Sequence, residues 1–430
     1  MSATGTILLS NTELTRFLFA IILLLIFAHS FGYLFQRFKM PKVIGEIIGG
    51  ILLGPTFLGY FFPEAYDWIF SAFSSEGKLL AVIYWLGLLL LMFMSGFEIQ
   101  KSINRDDRKT IFAILIGATI IPFIAGFFSP MFYDFSPFLG AKGNMLALSI
   151  IIAIAVAVTA IPIISKIFIE LGIMNTRFAK IVIAIATIED IILWVMLAIA
   201  TALVGTEEVS ALKIISTVAI TLMFFGISLI LMPRIIRFSN SLRINLLIKS
   251  SLSGYALIIC FLFTALASIL NINVVFGAFL AGIIIGTMPN EKFGDIKAHI
   301  KEVSLAFFIP IYLAIVGLKI DLIHSFDIMF FFGFLLFSTL IKVLGTIITA
   351  RIIKKDWLSS LNLGIVMSAR GTIGIILATV AFDAGIINQE FFVVLVMIAI
   401  VTTLFAGYWL KFVMSKGWAL MKEESSKDIL

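Results

Sequence analysis

Apolar residues run along this chain in blocks of about 20, each long enough to cross roughly 30 Å of hydrocarbon as a helix, with polar residues gathered in short stretches between them. The blocks predict about thirteen transmembrane helices, near residues 14–36, 42–60, 79–99, 110–132, 144–168, 178–204 and 213–236, then 250–270, 274–289, 302–320, 326–350, 360–382 and 389–414. The charge of the connecting stretches checks the count, because an erroneous span would break the alternation of basic and non-basic loops. Loops with Arg37, Lys39 and Lys42; with Lys101, Arg105, Arg108 and Lys109; with Arg177 and Lys180; with Arg234, Arg237 and Arg243; with Lys292, Lys297 and Lys301; and with Arg351, Lys354 and Lys355 are basic. Those between them, such as "FFPEAYDWIF", "VGTEEVSALK" and "DAGIINQE", are poor in Lys and Arg. The pattern predicts an N-terminus outside and a short cytoplasmic tail, 415–430, after one transmembrane unit over 1–414.

Composition sharpens this into an integral membrane protein. The chain has 430 residues, of which 61% are hydrophobic and 13% charged, too apolar for a soluble globular domain. A net charge of +6 is read as basic cytoplasmic loops, not as a nucleic-acid surface. The single cysteine, Cys260, excludes a disulfide framework and a cysteine metal cluster. The start of the chain lacks the basic stretch and small-residue site of a cleaved signal, so the first span is expected to remain. His29, His299 and His324 are scattered, and no HExxH, GxSxG or P-loop occurs, so neither an enzyme nor a cofactor is expected.

The chain also repeats itself. "VIGEIIGGILLG" from Val43 matches "VFGAFLAGIIIG" from Val275, setting Gly45, Gly50 and Gly54 on Gly277, Gly282 and Gly286. "SGFEI" at Ser95 resembles "VGLKI" at Val316, and "ELGIMN" at Glu170 resembles "DAGIIN" at Asp383. The last match sets Thr159 against Thr372 and Glu189-Asp190 against Thr402-Thr403. Three matches in one order predict two six-span repeats, about 14–204 and 250–414. The single linking span, about 213–236, makes the second repeat inverted. Inverted repeats are an architecture of secondary transporters, with the substrate near the midplane.

Charges inside spans need a partner, a water-filled cavity or a function. Glu98, Lys166 and Lys319 lie near span ends, within reach of the interface. Glu46 starts a glycine-rich span, where a helix contact or placement at the N-terminal dipole serves as well as transport. Glu189, Asp190, Lys342 and Arg370 lie deep. The two acids are neighbours about 100° apart around one helix, so they cannot face the same point. One is expected to face an ion path and the other a fixed partner, for which Lys342 is the candidate. The plainer alternative is an architectural Glu–Lys bridge with a bystander aspartate.

Two spans look interrupted. "AVAVTAIPIISK" puts Pro162 in mid-span, depriving the Val158 carbonyl of its helical donor, with Thr159 beside it. "MSARGTIGIIL" puts Gly371 and Gly374 beside Arg370 in the repeat-related span. Paired broken helices point to a transporter site; their ends would offer carbonyls to a cation, with Arg370 balancing partial charge.

At these residues the chain resembles the cation:proton antiporters of the sodium/hydrogen exchanger superfamily, in particular the bacterial branch related to potassium-efflux and sodium/proton antiporters. The resemblance is carried by "PKVIGEIIGGILLGPTFLG", "FMSGFEI", "TAIP", "ELGIMNTRFAKIVIAIATIEDIILWVMLA", "VVFGAFLAGIIIG", "AFFIPIYLAIVGLKIDL", "IKVLGTIITAR" and "SARGTIGIIL". It implies an all-α thirteen-span fold with crossed broken helices, a homodimer and a prokaryotic inner membrane. It implies that Asp190 is the acid that binds cation and proton in turn, that Lys342 pairs with the first acid, and that Thr159 lies near the ion. Glu189 departs from the Asp, Asn or Gln that relatives commonly carry there, which leaves stoichiometry and ion choice open. A long nucleotide-binding domain like that of gated potassium-efflux relatives is not expected.

The expected activity is antiport of a monovalent cation, Na⁺ ahead of K⁺, against protons. Asp190, Glu189 and Thr159 are the expected cation- and proton-binding residues, with Asp190 and Thr159 forming part of a transient cation shell; Lys342 would be the charge partner, and Pro162, Arg370, Gly371 and Thr372 would support the broken helices. A carrier or sensor for another solute, or a channel, are the alternatives; a channel would need a continuous polar pore, which the clustering of polar groups at one depth disfavours.

Overall fold

A computed structural model describes residues 9–38, 40–97, 107–204, 211–235, 246–288 and 290–421. Glu98 and the loop around Arg105 lie outside them. The described chain is helical, apart from loops and an isolated bridge between Leu139 and Ile387. Helices are what a lipid-embedded backbone requires, since each amide must find its partner within the segment.

The principal helices, in chain order, are α1 (Asn11–Arg37), α2 (Lys42–Leu53), α3 (Glu76–Phe97), α4 (Arg108–Leu115), α5 (Ile121–Phe128), α6 (Met145–Ala157), α7 (Ile161–Glu170) and α8 (Arg177–Val204). They continue with α9 (Ala211–Ile230), α10 (Leu252–Ile269), α11 (Val274–Gly286), α12 (Asn290–Val303), α13 (Ile309–Leu318), α14 (Ile328–Ile352), α15 (Trp357–Met367), α16 (Gly371–Asp383) and α17 (Gln389–Ser415). Their starts carry ordinary caps: Ser10 and Glu13 close a capping box on α1, and Asp327 and Asn388 accept amides at the starts of α14 and α17.

Eleven segments among the described residues are long and apolar enough to span a membrane. The two remaining windows of the sequence hold shorter helix, for physical reasons. The window at 144–168 is split into α6 and α7 by a non-helical stretch at 158–160. The one at 274–289 holds α11, whose 13 residues rise about 20 Å.

Two units divide the chain. The first contains the described residues up to Leu91 and Gly294–Ser325. In it α2 is sandwiched between α1 and α13, at backbone contact: a Cβ on Gly50 would lie 2.0 Å from the Ala314 carbonyl oxygen, and one on Gly317 would lie 2.1 Å from that of Ile47. The second unit contains Met92–Phe293 and Phe326–Leu430. There α11 packs on α10 and on the last turns of α3: a Cβ on Gly282 would lie 2.1 Å from the Phe93 oxygen, and one on Gly96 would lie 2.4 Å from that of Phe279. The glycines doing the same work in the two units are those that the sequence repeat aligns. Gly172 and Gly385, also aligned, turn the chain with φ of +72° and +71°.

Candidate functional site

The polar core of the second unit is built where α8 passes the two interrupted helices. The first interruption separates α6 from α7 at residues 158–160, and the second separates α15 from α16 at 368–370. They meet: the Ala160 amide donates to the Ala369 carbonyl at 2.8 Å, and the Thr159 hydroxyl donates to that of Met367 at 2.6 Å. Pro162 is the second residue of α7, where a missing N–H costs nothing, so it begins a new half-helix instead of kinking an old one. At the other break Gly371 has φ of +43°, a conformation open to glycine, and its amide donates to Thr403 Oγ1 at 2.9 Å. Thr372 is buried in the first turn of α16, and the hydroxyl of Thr402, beside Thr403, accepts from the Arg370 amide at 3.5 Å.

Glu189 and Asp190 sit side by side in α8, 0% and 4% exposed. The roughly 100° between them sends them to different surroundings. Oε1 of Glu189 is 2.9 Å from Nζ of Lys342, both side chains fully buried, and its Oε2 accepts from the Thr119 hydroxyl at 2.9 Å. Thr159 lies beside the same carboxylate. Asp190 differs: its Oδ1 is buried and has no hydrogen-bond partner among the described residues. A buried carboxylate oxygen left so is costly unless a proton or a cation comes to it.

Two carbonyls at the end of the first half-helix are engaged by protein side chains. At the C-terminus of α6, Lys342 donates to the Ala157 carbonyl and Arg370 Nε donates to that of Ala155 at 2.9 Å. Two cationic side chains therefore take up the negative end of this half-helix. Arg370, expected to balance partial charge at the broken helices, hydrogen-bonds directly to the Ala155 carbonyl. Counted as ionised, the cluster has two acids, Glu189 and Asp190, and two bases, Lys342 and Arg370.

Two further intramembrane charges belong to the first unit. Glu46 pairs with Lys42 at 3.1 Å across one turn of α2, and the Lys319 ammonium lies 4.1 Å from the ring centre of Tyr84. No group of three or more His, Cys, Asp or Glu suited to a resident metal occurs among the described residues. The residue that sequence reasoning misses is Thr119. Its nearest signal is Pro122, a helix breaker in mid-span of the same kind as Pro162.

The family model described as "Sodium/hydrogen exchanger, transmembrane" matches residues 19–416. The chain belongs to the sodium/hydrogen exchanger family. Among characterised relatives it is 29% identical to the Na(+)/H(+)-K(+) antiporter GerN of Bacillus cereus, over 92% of this chain and 96% of GerN. It is also 29% identical to K(+)/H(+) antiporter 1 of Saccharomyces cerevisiae, again over 92% of this chain but 46% of that longer protein. The solved sodium proton antiporter MjNhaP1 of Methanocaldococcus jannaschii matches with a TM-score of 0.62 at 15% identity, over 94% of this chain and 99% of that one. At that identity the likeness is one of fold.

Proposed function

We propose that this chain is a secondary antiporter that exchanges a monovalent cation for protons across a membrane. The observation that carries the reading is the contrast within the acid pair. Each oxygen of Glu189 has a partner, Lys342 or Thr119, while Asp190 keeps a buried oxygen with no protein partner among the described residues. One carboxylate cannot hold a proton and a metal ion together. Occupancy by one therefore requires departure of the other, and exchange results without any further coupling device.

The names of the relatives support this substrate class, since they include Na⁺/H⁺-K⁺ and K⁺/H⁺ antiporters. Asp190 is the exchange site in this reading, and the Thr159 hydroxyl oxygen, which keeps acceptor capacity after donating to Met367, is a second ligand. Na⁺ is the first ion to test, being small and hard and suited to carboxylate and hydroxyl oxygen, and K⁺ the second. Pro162, Gly371 and Thr372 shape the half-helix ends, and Lys342 and Arg370 hold them.

The reading includes inverted repeats, a homodimer, and a prokaryotic cell membrane with the N-terminus outside. The paired glycine contacts support the repeats, and the alternation of loop charge supports the orientation. In everted vesicles Asp190→Asn is expected to abolish cation-driven proton movement while the protein still inserts; wild-type exchange by that variant refutes the assignment.

A further inference from the structure

Thr119 stands in a π-turn, Ile116–Ile120, that joins α4 to α5. Such turns add a residue to the helical register and rotate the residues beyond them, and they recur where a side chain must be aimed. Two constraints meet in this one. Gly117 presses on α14: a Cβ there would lie 2.3 Å from the Gly345 carbonyl oxygen, and one on Gly345 would lie 2.4 Å from that of Gly117, so the backbones touch. Two residues later Thr119, fully buried, reaches Glu189 at 2.9 Å. The π-turn therefore braces against the helix that carries Lys342 and contacts the acid that Lys342 binds. Pro122 has no N–H to offer the Ala118 carbonyl, so regular α-helix could not run unbroken through this point in any case.

The use of the hydroxyl is also unlike that of its neighbours. Thr187, Thr346, Thr402 and Thr403 each donate to a carbonyl four residues back in their own helix. Thr119 gives its proton to a carboxylate instead, and a donor on a carboxylate favours the ionised form.

We propose that Thr119 is a positioning residue: its hydroxyl keeps Glu189 ionised and bound to Lys342, and so reserves Asp190 as the sole site of exchange. The consequence for transport rests on the antiport reading; the effect on Glu189 does not. Without the hydroxyl, Glu189 takes up a proton more readily. Lys342 then loses its partner and turns toward Asp190, where it competes with the cation.

Two measurements test this. In proteoliposomes, the isosteric Thr119→Val should move the pH profile of cation-driven proton transport upward by about one unit, the tenfold effect of losing a hydrogen bond to a charged group. The maximal rate should recover at high pH, and Thr119→Ser should retain the wild-type profile. A Thr119→Val profile identical to wild type overturns the proposal. Infrared difference spectra of purified protein need no transport. Thr119→Val should show a protonated-carboxyl band in addition to any that wild type shows at the same pH, and the additional band should vanish in Thr119→Val/Glu189→Gln. Unchanged spectra overturn the proposal, and if the valine variant does not fold, Thr119→Ala decides by the same criterion. A wild-type protein that moves no cation would refute the antiport reading alone, and the spectra would still decide the role of Thr119.

Discussion

Lys342 and Glu189 are both fully excluded from solvent and 2.9 Å apart, so each is tolerable only with the other. Removing one leaves a buried charge without compensation. Lys342→Ala is therefore expected to destabilise the protein by about 3–5 kcal/mol, read as a fall in thermal unfolding temperature in detergent, whereas Glu189→Gln/Lys342→Met should recover most of the loss. A single variant as stable as wild type would show the pair to be incidental. Glu189, Asp190, Lys342 and Arg370 are legible in the sequence because a charge in an apolar run is conspicuous and expensive. Thr119 is not. A threonine in a transmembrane helix ordinarily satisfies itself on its own backbone, as Thr187 and Thr346 do, so its type and position carry no sign of a tertiary partner. The engagement of the Ala157 and Ala155 carbonyls is hidden likewise, because Lys342 and Arg370 lie 185 and 215 residues further along the chain.

At the scale of elements, the interruptions are readable from Pro162 and from Gly371 and Gly374, since these residue types weaken or end helices. That the two interruptions touch through Ala160 and Ala369 is a tertiary fact that neither segment announces. The repeat is readable from glycine spacing, and the structure supplies what the glycines do: they let α2 meet α13 in one unit and α3 meet α11 in the other. A methyl group at either place meets a backbone carbonyl, which cannot rotate away as a side chain can. Gly50→Ala and Gly282→Ala should each destabilise by about 1–3 kcal/mol in thermal unfolding. Gly226→Ala in α9, where a Cβ meets nothing within 4 Å, should leave stability unchanged or slightly raised. Equal effects at all three positions would deny the glycines their packing role.

For the whole molecule, the fold brings four buried charged side chains, Glu189, Asp190, Lys342 and Arg370, together where α8 passes two broken helices. Of the thirteen apolar windows, eleven hold helical segments long and apolar enough to span among the described residues and two hold shorter helix, because a window of hydrophobicity cannot reveal a break inside it or a helix shorter than the bilayer. Exchange by competition gives this architecture a testable pH dependence. With Asp190 as the proposed site of contest between protons and cations, the apparent KM for the cation should fall as pH rises and the proton becomes scarcer. The most direct measurement is proton release from purified protein in weakly buffered detergent on addition of Na⁺ or K⁺. The account predicts release by wild type and none by Asp190→Asn; release undiminished in Asp190→Asn would contradict it.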